Sequence, residues 1–424
     1  MHKIKLVVSV IILLTIPSIS FAQNNTNSPY TRYGYGNLAD KAFAAQRGMG
    51  GIGYGLRNPQ LINPMNPASF SSVDSMTFMM DFGVMGQLAW FKDDLNKVRK
   101  GNANIEYIAL QFPIMKRMGV GAGFEPVSFV GYAYGDTAHI SVDDGYAQYT
   151  YEGNGGLNKV YAALSYNFLD RLSLGVKVSY LFGDVVHDNL VMFTDGASST
   201  SGYSTNWLDT LRTSGFTYDI GLQYLQPIGK DQSLVFGAVY TPKTKINGRF
   251  MESIYRFEPT TGSVMSSEHY ASSDSIFEMP ESYAFGITYN KLDKLTLGAD
   301  FLYQKWADAK FYDKTDALSN RMKINIGGEY IPNIMSNNFF NRVRYRAGAH
   351  YSDSYVKVKD SGYKEYGANI GFGFPMNDRR SFINLAFEYS FIRPEVNTLI
   401  DEQYLKLTLS YTFNELWFFK RKLQ

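Results

Sequence analysis

From about residue 76 to residue 413 the chain repeats one pattern: an apolar side chain at every second position, over runs of ten residues or more. Leu172, Leu174, Val176, Val178, Tyr180 and Phe182 alternate with Ser173, Gly175, Lys177 and Ser179. Leu405, Leu407, Leu409, Tyr411 and Phe413 alternate with Lys406, Thr408, Ser410 and Thr412. Opposite Val343, Tyr345, Ala347, Ala349 and Tyr351 stand Arg342, Arg344, Arg346 and His350. Period two is the signature of a strand with two unlike faces. A soluble sandwich and a barrel in lipid share it, because the barrel only exchanges the faces. Three features favour the barrel. The runs have the length of tilted membrane strands, whereas strands of soluble sheets average five or six residues. Tyr and Phe cluster near the run ends, where an aromatic girdle belongs, and short and long connections alternate.

Composition agrees. The chain carries 32 Tyr and 30 Phe, yet its mean hydropathy is −0.22. That combination does not suit a bundle of membrane helices, and past residue 22 no apolar run is long enough for one. There is no cysteine, so no disulfide framework. The net charge of +2 gives no footprint for nucleic acid. At the N-terminus, basic His2–Lys5, apolar Leu6–Ile19 and small Ser20 and Ala22 read as a secretory signal peptide over residues 1–22.

Strand starts are expected near residues 76, 104, 118, 157, 171, 212, 232, 282, 294, 321, 342, 364, 380 and 403, an even fourteen. The fold class expected is therefore all-β, a transmembrane antiparallel barrel over 75–413. Links Pro113–Arg117, Leu169–Asp170, Ile228–Asp231, Lys291–Asp293 and Pro375–Arg379 are short. Gly135–Gly156, Asp184–Leu211, Asn247–Glu281 and Ala307–Asn320 read as long loops. Short turns face the periplasm in such barrels, so both termini should lie there. Residues 23–74 carry Gly, Asn and Pro together with many aromatics, and read as a hatch or plug inside the lumen. Residues 414–424 read as a periplasmic tail.

Several segments resemble one family. Ala44-Ala45-Gln46-Arg47-Gly48-Met49-Gly50-Gly51-Ile52-Gly53, followed by Asn66-Pro67-Ala68, looks like the glycine-rich hatch of the FadL-type outer-membrane transporters of long-chain fatty acids and other hydrophobic compounds. Met279–Gly286, Asp300–Trp306 and Arg344–Gly348 resemble later strand entries of that family, in the same order. The resemblance implies a fourteen-stranded barrel, a hatch at Gly48, Gly50, Gly51, Gly53, Asn66, Pro67 and Ala68, and a hydrophobic small-molecule ligand. It also implies a kink in the third strand that opens sideways into the bilayer, for which Gly121, Gly123 and Pro126 are the candidates. Pro removes a ladder donor and equally fits an ordinary bulge. The partners implied are the bilayer of the outer membrane and the barrel assembly machinery that inserts such proteins.

Little else in the sequence points to chemistry. Gly48–Gly53 formally matches G-x-G-x-x-G, but a dinucleotide site needs a strand before it and a helix after it. There is no P-loop, H-E-x-x-H or G-x-S-x-G, and the five histidines are scattered, so neither cofactor nor metal nor enzyme activity is expected. Asp143-Asp144 offers too few oxygens for Ca²⁺. Lys177, Asp219, Asp300, Lys323, Glu329, Glu365, Glu388 and Lys406 fall on the polar face of the strands with Arg344 and Arg346. Arg344 and Arg346 suit a substrate carboxylate, but a closed lumen must also satisfy its charges internally, which favours mutual pairing. Passive uptake of a hydrophobic compound is the first functional expectation. A barrel of similar build serving as a protein-secretion shuttle or surface scaffold is the second.

Overall fold

The computed structural model describes residues 26–93, 96–141, 145–194, 204–258, 262–272, 276–292, 294–358, 360–396 and 400–417. The signal-peptide reading and Asp143-Asp144 lie outside them. Seventeen strands follow one another: β1 Thr77–Lys92, β2 Lys97–Met115, β3 Met118–Ser141, β4 Gly145–Phe168, β5 Leu172–Thr194, β6 Ser204–Gly229, β7 Gln232–Thr241, β8 Thr244–Phe257, β9 Val264–Ser272, β10 Phe277–Met279, β11 Ser282–Lys291, β12 Leu295–Gln304, β13 Arg321–Tyr330, β14 Arg344–Asp353, β15 Tyr363–Pro375, β16 Phe382–Pro394 and β17 Asp401–Leu416. β1–β7 and β11–β17 pair antiparallel in chain order, with β7 against β11 and β17 against β1, which closes a fourteen-stranded barrel.

The faces are those of a barrel in lipid. On β17 the side chains of Leu405, Leu407, Leu409 and Tyr411 are 38–44 % exposed on the outside. Thr408, Ser410 and Thr412, between them, are buried. Closure joins the last strand to the first, so the sheet ends on no free strand, as the hydrocarbon requires. Short turns at 116–117, 169–171 and 230–231 lie at the end where Thr77 meets Leu416.

The opposite end differs from the sequence expectation. Residues Gly135–Gly156 and Asp184–Leu211 are not simply loops: β3, β4, β5 and β6 run 23 to 26 residues, far beyond the 10 of β12. Asn247–Glu281 also contains strand, because β8 continues the line of β7 past Pro242-Lys243 and pairs with β6, while β9 and β10 return against β8. Each added strand satisfies its neighbour's backbone groups, so the ladder persists after the inside–outside contrast fades. The last strand likewise runs past Phe413 to Leu416, where Leu416 pairs with Thr77.

Under this tall wall lies a large apolar core. Val130, Leu157, Val185 and Leu211 from the wall meet Phe91, Ile392 and Tyr404 from the far side, with Tyr35, Trp306 and Tyr355 between them. The long-loop mouth of the barrel is thereby filled with packed side chains.

Candidate functional site

Residues 26–73 pack against the inner face of the barrel. After the four-residue helix Ala44–Arg47 the chain reverses at Gly50 and Gly51, with φ of +70° and +84°. A side chain at Gly50 would also meet the backbone of Ile326 and Ala349 at 2.5–2.9 Å, so glycine is required there twice over. The wall answers with glycines of its own. A Cβ at Gly237 would stand 1.9 Å from the Tyr54 carbonyl oxygen, and one at Gly327 2.2 Å from that of Met49.

Polar bonds fix the rest. Asp300 accepts from the backbone N–H groups of Gly53 and Tyr54 at 2.6 and 2.9 Å. The Asn66 side chain accepts from Ala68 N–H at 3.0 Å and donates to the Tyr54 and Leu222 carbonyls at 2.8 and 3.1 Å. It thereby caps the 3₁₀ turn Pro67–Ser72. Pro67 sits against Gly175 and Gly221, and the Ala68 carbonyl accepts from Ser165 at 2.8 Å. Lys177 Nζ donates to the Pro64 carbonyl at 2.9 Å, and Arg47 pairs with the buried Glu106. Gly48, Gly50, Gly51, Gly53, Asn66, Pro67 and Ala68 thus share one buried region. The G-x-G-x-x-G match has a single helical turn before it and no strand, so it has no dinucleotide-site context.

The inward charges pair among themselves. Lys177 meets Asp219 at 3.0 Å, Lys159 meets Glu125 at 2.8 Å and Lys406 meets Glu388 at 2.8 Å. Glu329 takes both arginines, Arg344 at 3.0 Å and Arg346 at 2.7 Å. Arg344 also donates to Gln60, and Arg346 to Asn384. Of the two expectations for Arg344 and Arg346, the geometry is that of internal pairing.

The third strand holds the main irregularity. β2 pairs with β3 from Met115–Met118 only as far as Ile108–Phe124. Gly121 lies under the Phe70 ring and Gly123 beside Tyr161. Past Pro126 the register of β3 against β4 slips by a bulge, and β3 continues with β4 alone among the barrel strands. The N-terminal segment takes the place β2 leaves. Asn37 and Leu38 pair with Phe129 and Ser128, Ala39 N–H donates to the Val127 carbonyl at 2.9 Å, and Thr31 bonds both backbone groups of Gly131.

A cavity opens on the inner side of this join. Leu38, Met65, Val127, Leu181, Leu302 and Trp306 supply its apolar lining. Four cations line it, Lys41, Lys159, Arg321 and Lys323, together with the carboxylates of Asp40 and Asp219. Among the described residues Lys41 and Arg321 have no carboxylate within ion-pair distance, whereas Lys159 and Lys323 are paired. Burial pushes the Lys41 ammonium down to about 8, against the pull of Asp219. Asp40 next to it behaves oppositely: burial opposes its ionisation, but Lys323 at 2.9 Å and Arg47 hold the carboxyl well below the usual range.

A second, polar cavity lies across residues 37–40 from the first. Its lining includes His350, Glu365 and Glu388, whose ligand atoms lie within 4.8 Å of one another. Residues on three neighbouring strands make this grouping, so the spacing of histidines in the sequence does not reveal it. Lys406 already occupies Glu388, and Asn369 bridges Glu388 and His350 at 3.1 and 3.3 Å, which reads as part of the charge network.

Barrel, inward N-terminal segment and interrupted third strand together define the FadL class of fold. Solved structures agree: the P. putida toluene transporter TodX superposes with a TM-score of 0.61 at 15% identity, covering 90% of this chain and 100% of that one. The Ralstonia pickettii toluene transporter TbuX gives 0.56 at 15%, covering 88% and 98%. A Pseudomonas aeruginosa FadL homologue gives 0.56 at 13%, covering 89% and 98%. Identities this low carry the fold and not the cargo. The family model BamG matches residues 1–424, and the chain belongs to the BamG family. No curated characterised protein matches the sequence.

Proposed function

We propose that this protein is an outer-membrane channel for passive uptake of hydrophobic or amphipathic compounds, fatty-acid-like in having an anionic head. The observation that carries the reading is the partly apolar cavity beside the interrupted strand, in which Lys41 and Arg321 have no carboxylate within ion-pair distance among the described residues. Lys41 and Arg321, rather than the occupied Arg344 and Arg346, are then the groups that meet a carboxylate. Residues 23–74 act as the hatch, seated through Gly48–Gly53 and Asn66-Pro67-Ala68. Release is lateral, between β2 and β3 beside Gly121, Gly123 and Pro126, when residues 37–39 leave the β3 edge. The long strands face outward, the short turns face the periplasm, and the barrel assembly machinery inserts the chain. No catalytic step or cofactor enters this scheme.

The test is equilibrium binding of a fluorescent long-chain fatty acid to the refolded barrel and to Lys41→Gln and Arg321→Gln. Saturable binding, weakened in both variants, supports the reading. A folded barrel that binds no hydrophobic ligand removes it. The mouth packed with Tyr35, Trp306 and Tyr355 favours the second reading, a secretion shuttle or surface scaffold, because it leaves the outer end of the lumen filled.

A further inference from the structure

Most glycines on the inner face are explained by a backbone or a side chain pressed against them. Two outward glycines are not. A Cβ at Gly86 would have its nearest neighbour at 4.0 Å, and one at Gly101 would touch only the end of Leu88 at 3.3 Å, and neither has a positive φ. Backbone conformation and close packing both leave room for a side chain, and glycine weakens a strand interior. What the missing side chains create is a groove on the lipid-facing surface, bordered by Leu88, Ala103, Phe387, Leu405 and Leu407.

The groove leads to a basic rim. On the outward face of the β1–β2 hairpin, Leu88 stands opposite Gly101, Trp90 opposite Arg99 and Lys92 opposite Lys97. Like charges directly opposite one another are unfavourable in a ladder. Among the described residues Lys92, Lys97 and Arg99 are in no ion pair, although Asp401 stands across from Lys92 on β17. Arg99 lies 5.9 Å from the centre of the Trp90 ring, an aromatic at the height where a membrane interface is expected. From Gly86 to Lys92 is six residues, roughly 20 Å of strand. Tilted at about 40°, that spans roughly 15 Å, or one leaflet of a hydrocarbon core about 30 Å thick.

We propose that this outward groove and its basic rim bind one phosphorylated glycolipid of the outer leaflet, an acyl chain lying along Gly86 and Gly101 and a phosphate held by Lys92, Lys97 and Arg99. The surface faces hydrocarbon, so its occupant is a lipid, and three unpaired cations at the headgroup level complement a phosphate monoester. The site adjoins the part of β2 that has no β3 partner, so a bound lipid also shields that edge. The inference rests on the outer-membrane orientation proposed above, but it does not depend on the lumen carrying cargo.

The experiment is native mass spectrometry of the full mature barrel released from detergent, with bis-phosphorylated lipid A, its dephosphorylated form and phosphatidylglycerol as probes. Two variants are compared: Lys92→Gln/Lys97→Gln/Arg99→Gln at the rim and Gly86→Leu/Gly101→Leu in the groove. One molecule of lipid A should be retained by the parent, with binding lowered on the order of a hundredfold by loss of the three cations. The groove variant should also lose it, while fatty-acid binding in the lumen is unchanged in both. Equal retention by the variants, or equal binding of the dephosphorylated lipid, overturns the proposal, and phosphatidylglycerol binding as tightly as lipid A overturns the glycolipid assignment. If lumen binding fails while lipid retention behaves as stated, the transport reading falls and this one stands.

Discussion

The N-terminal segment has two halves with different attachments. Residues 44–73 are seated backbone against backbone, on glycines of the wall, with carbonyl and N–H groups bonded to Asp300, Ser165 and Lys177. Residues 26–41 lie across a gap in the wall, paired with the edge of β3 at 37–38, tied to Lys323 through Asp40 and packed into the mouth core by Tyr30 and Tyr35, with a cavity on either side of 37–40. Close backbone seating permits one position only. In the proposed channel the gate is therefore residues 37–39, a short added strand that can leave by breaking a few ladder bonds, and the anchor is 44–73.

The sharpest attack on the anchor is Arg47→Met. It strands the buried Glu106 carboxylate, and breaking one side of a buried pair costs about 3–5 kcal/mol. Urea unfolding of the refolded barrel, followed by tryptophan fluorescence, should show a fall of that size. Next is Gly237→Ala, which drives a methyl into the Tyr54 carbonyl. Overpacking of this kind costs about 1–3 kcal/mol, so the midpoint in the same assay should shift less than for Arg47→Met but clearly.

The gate is tested without loss of fold. The chain has no cysteine, and Leu38 stands opposite Ser128, so Leu38→Cys/Ser128→Cys tethers the short strand to β3. Fatty-acid passage into vesicles holding the oxidised protein should stop and return on reduction, with stability changed little. Passage unaffected by the tether would place the gate elsewhere. The smallest expected effect is one of pH. An anion in the cavity gains from Lys41 only while that ammonium is charged, so affinity should be full below about 8 and fall as pH rises through about 8. Lys41→Gln should bind more weakly at neutral pH and lose that fall, measured by fatty-acid titration from pH 6 to 10.

Much of the architecture was legible in the sequence. Alternation alone placed all fourteen barrel strands, because a wall between lipid and a polar lumen imposes period two at every residue. Pro126 marked the irregular strand because proline cannot donate to a ladder. The upper halves of β3 to β6 were misread as loops because, beyond the membrane, the two faces of a strand no longer meet opposite solvents and the pattern blurs. Lys41 carried no signal at all. It lies beside Asp40 in a Gly- and Asn-rich stretch, like any solvated pair in a linker, and only the path of that stretch through the lumen sends Asp40 to Lys323 and leaves Lys41 with no ion pair among the described residues.

By itself, then, the sequence determined the barrel, its strand number, its inward charges and the glycine-rich stretch that folds inside it, since each is written in local periodicity and backbone chemistry. Tertiary structure decided which charges cancel. Glu329 pairs with both Arg344 and Arg346, Arg321 and Lys41 have no ion pair among the described residues, and Gly86 and Gly101 point outward with room beside them. Those outcomes depend on the register between strands and on the route of residues 26–73, which bring together groups hundreds of residues apart, and no local pattern encodes such distances.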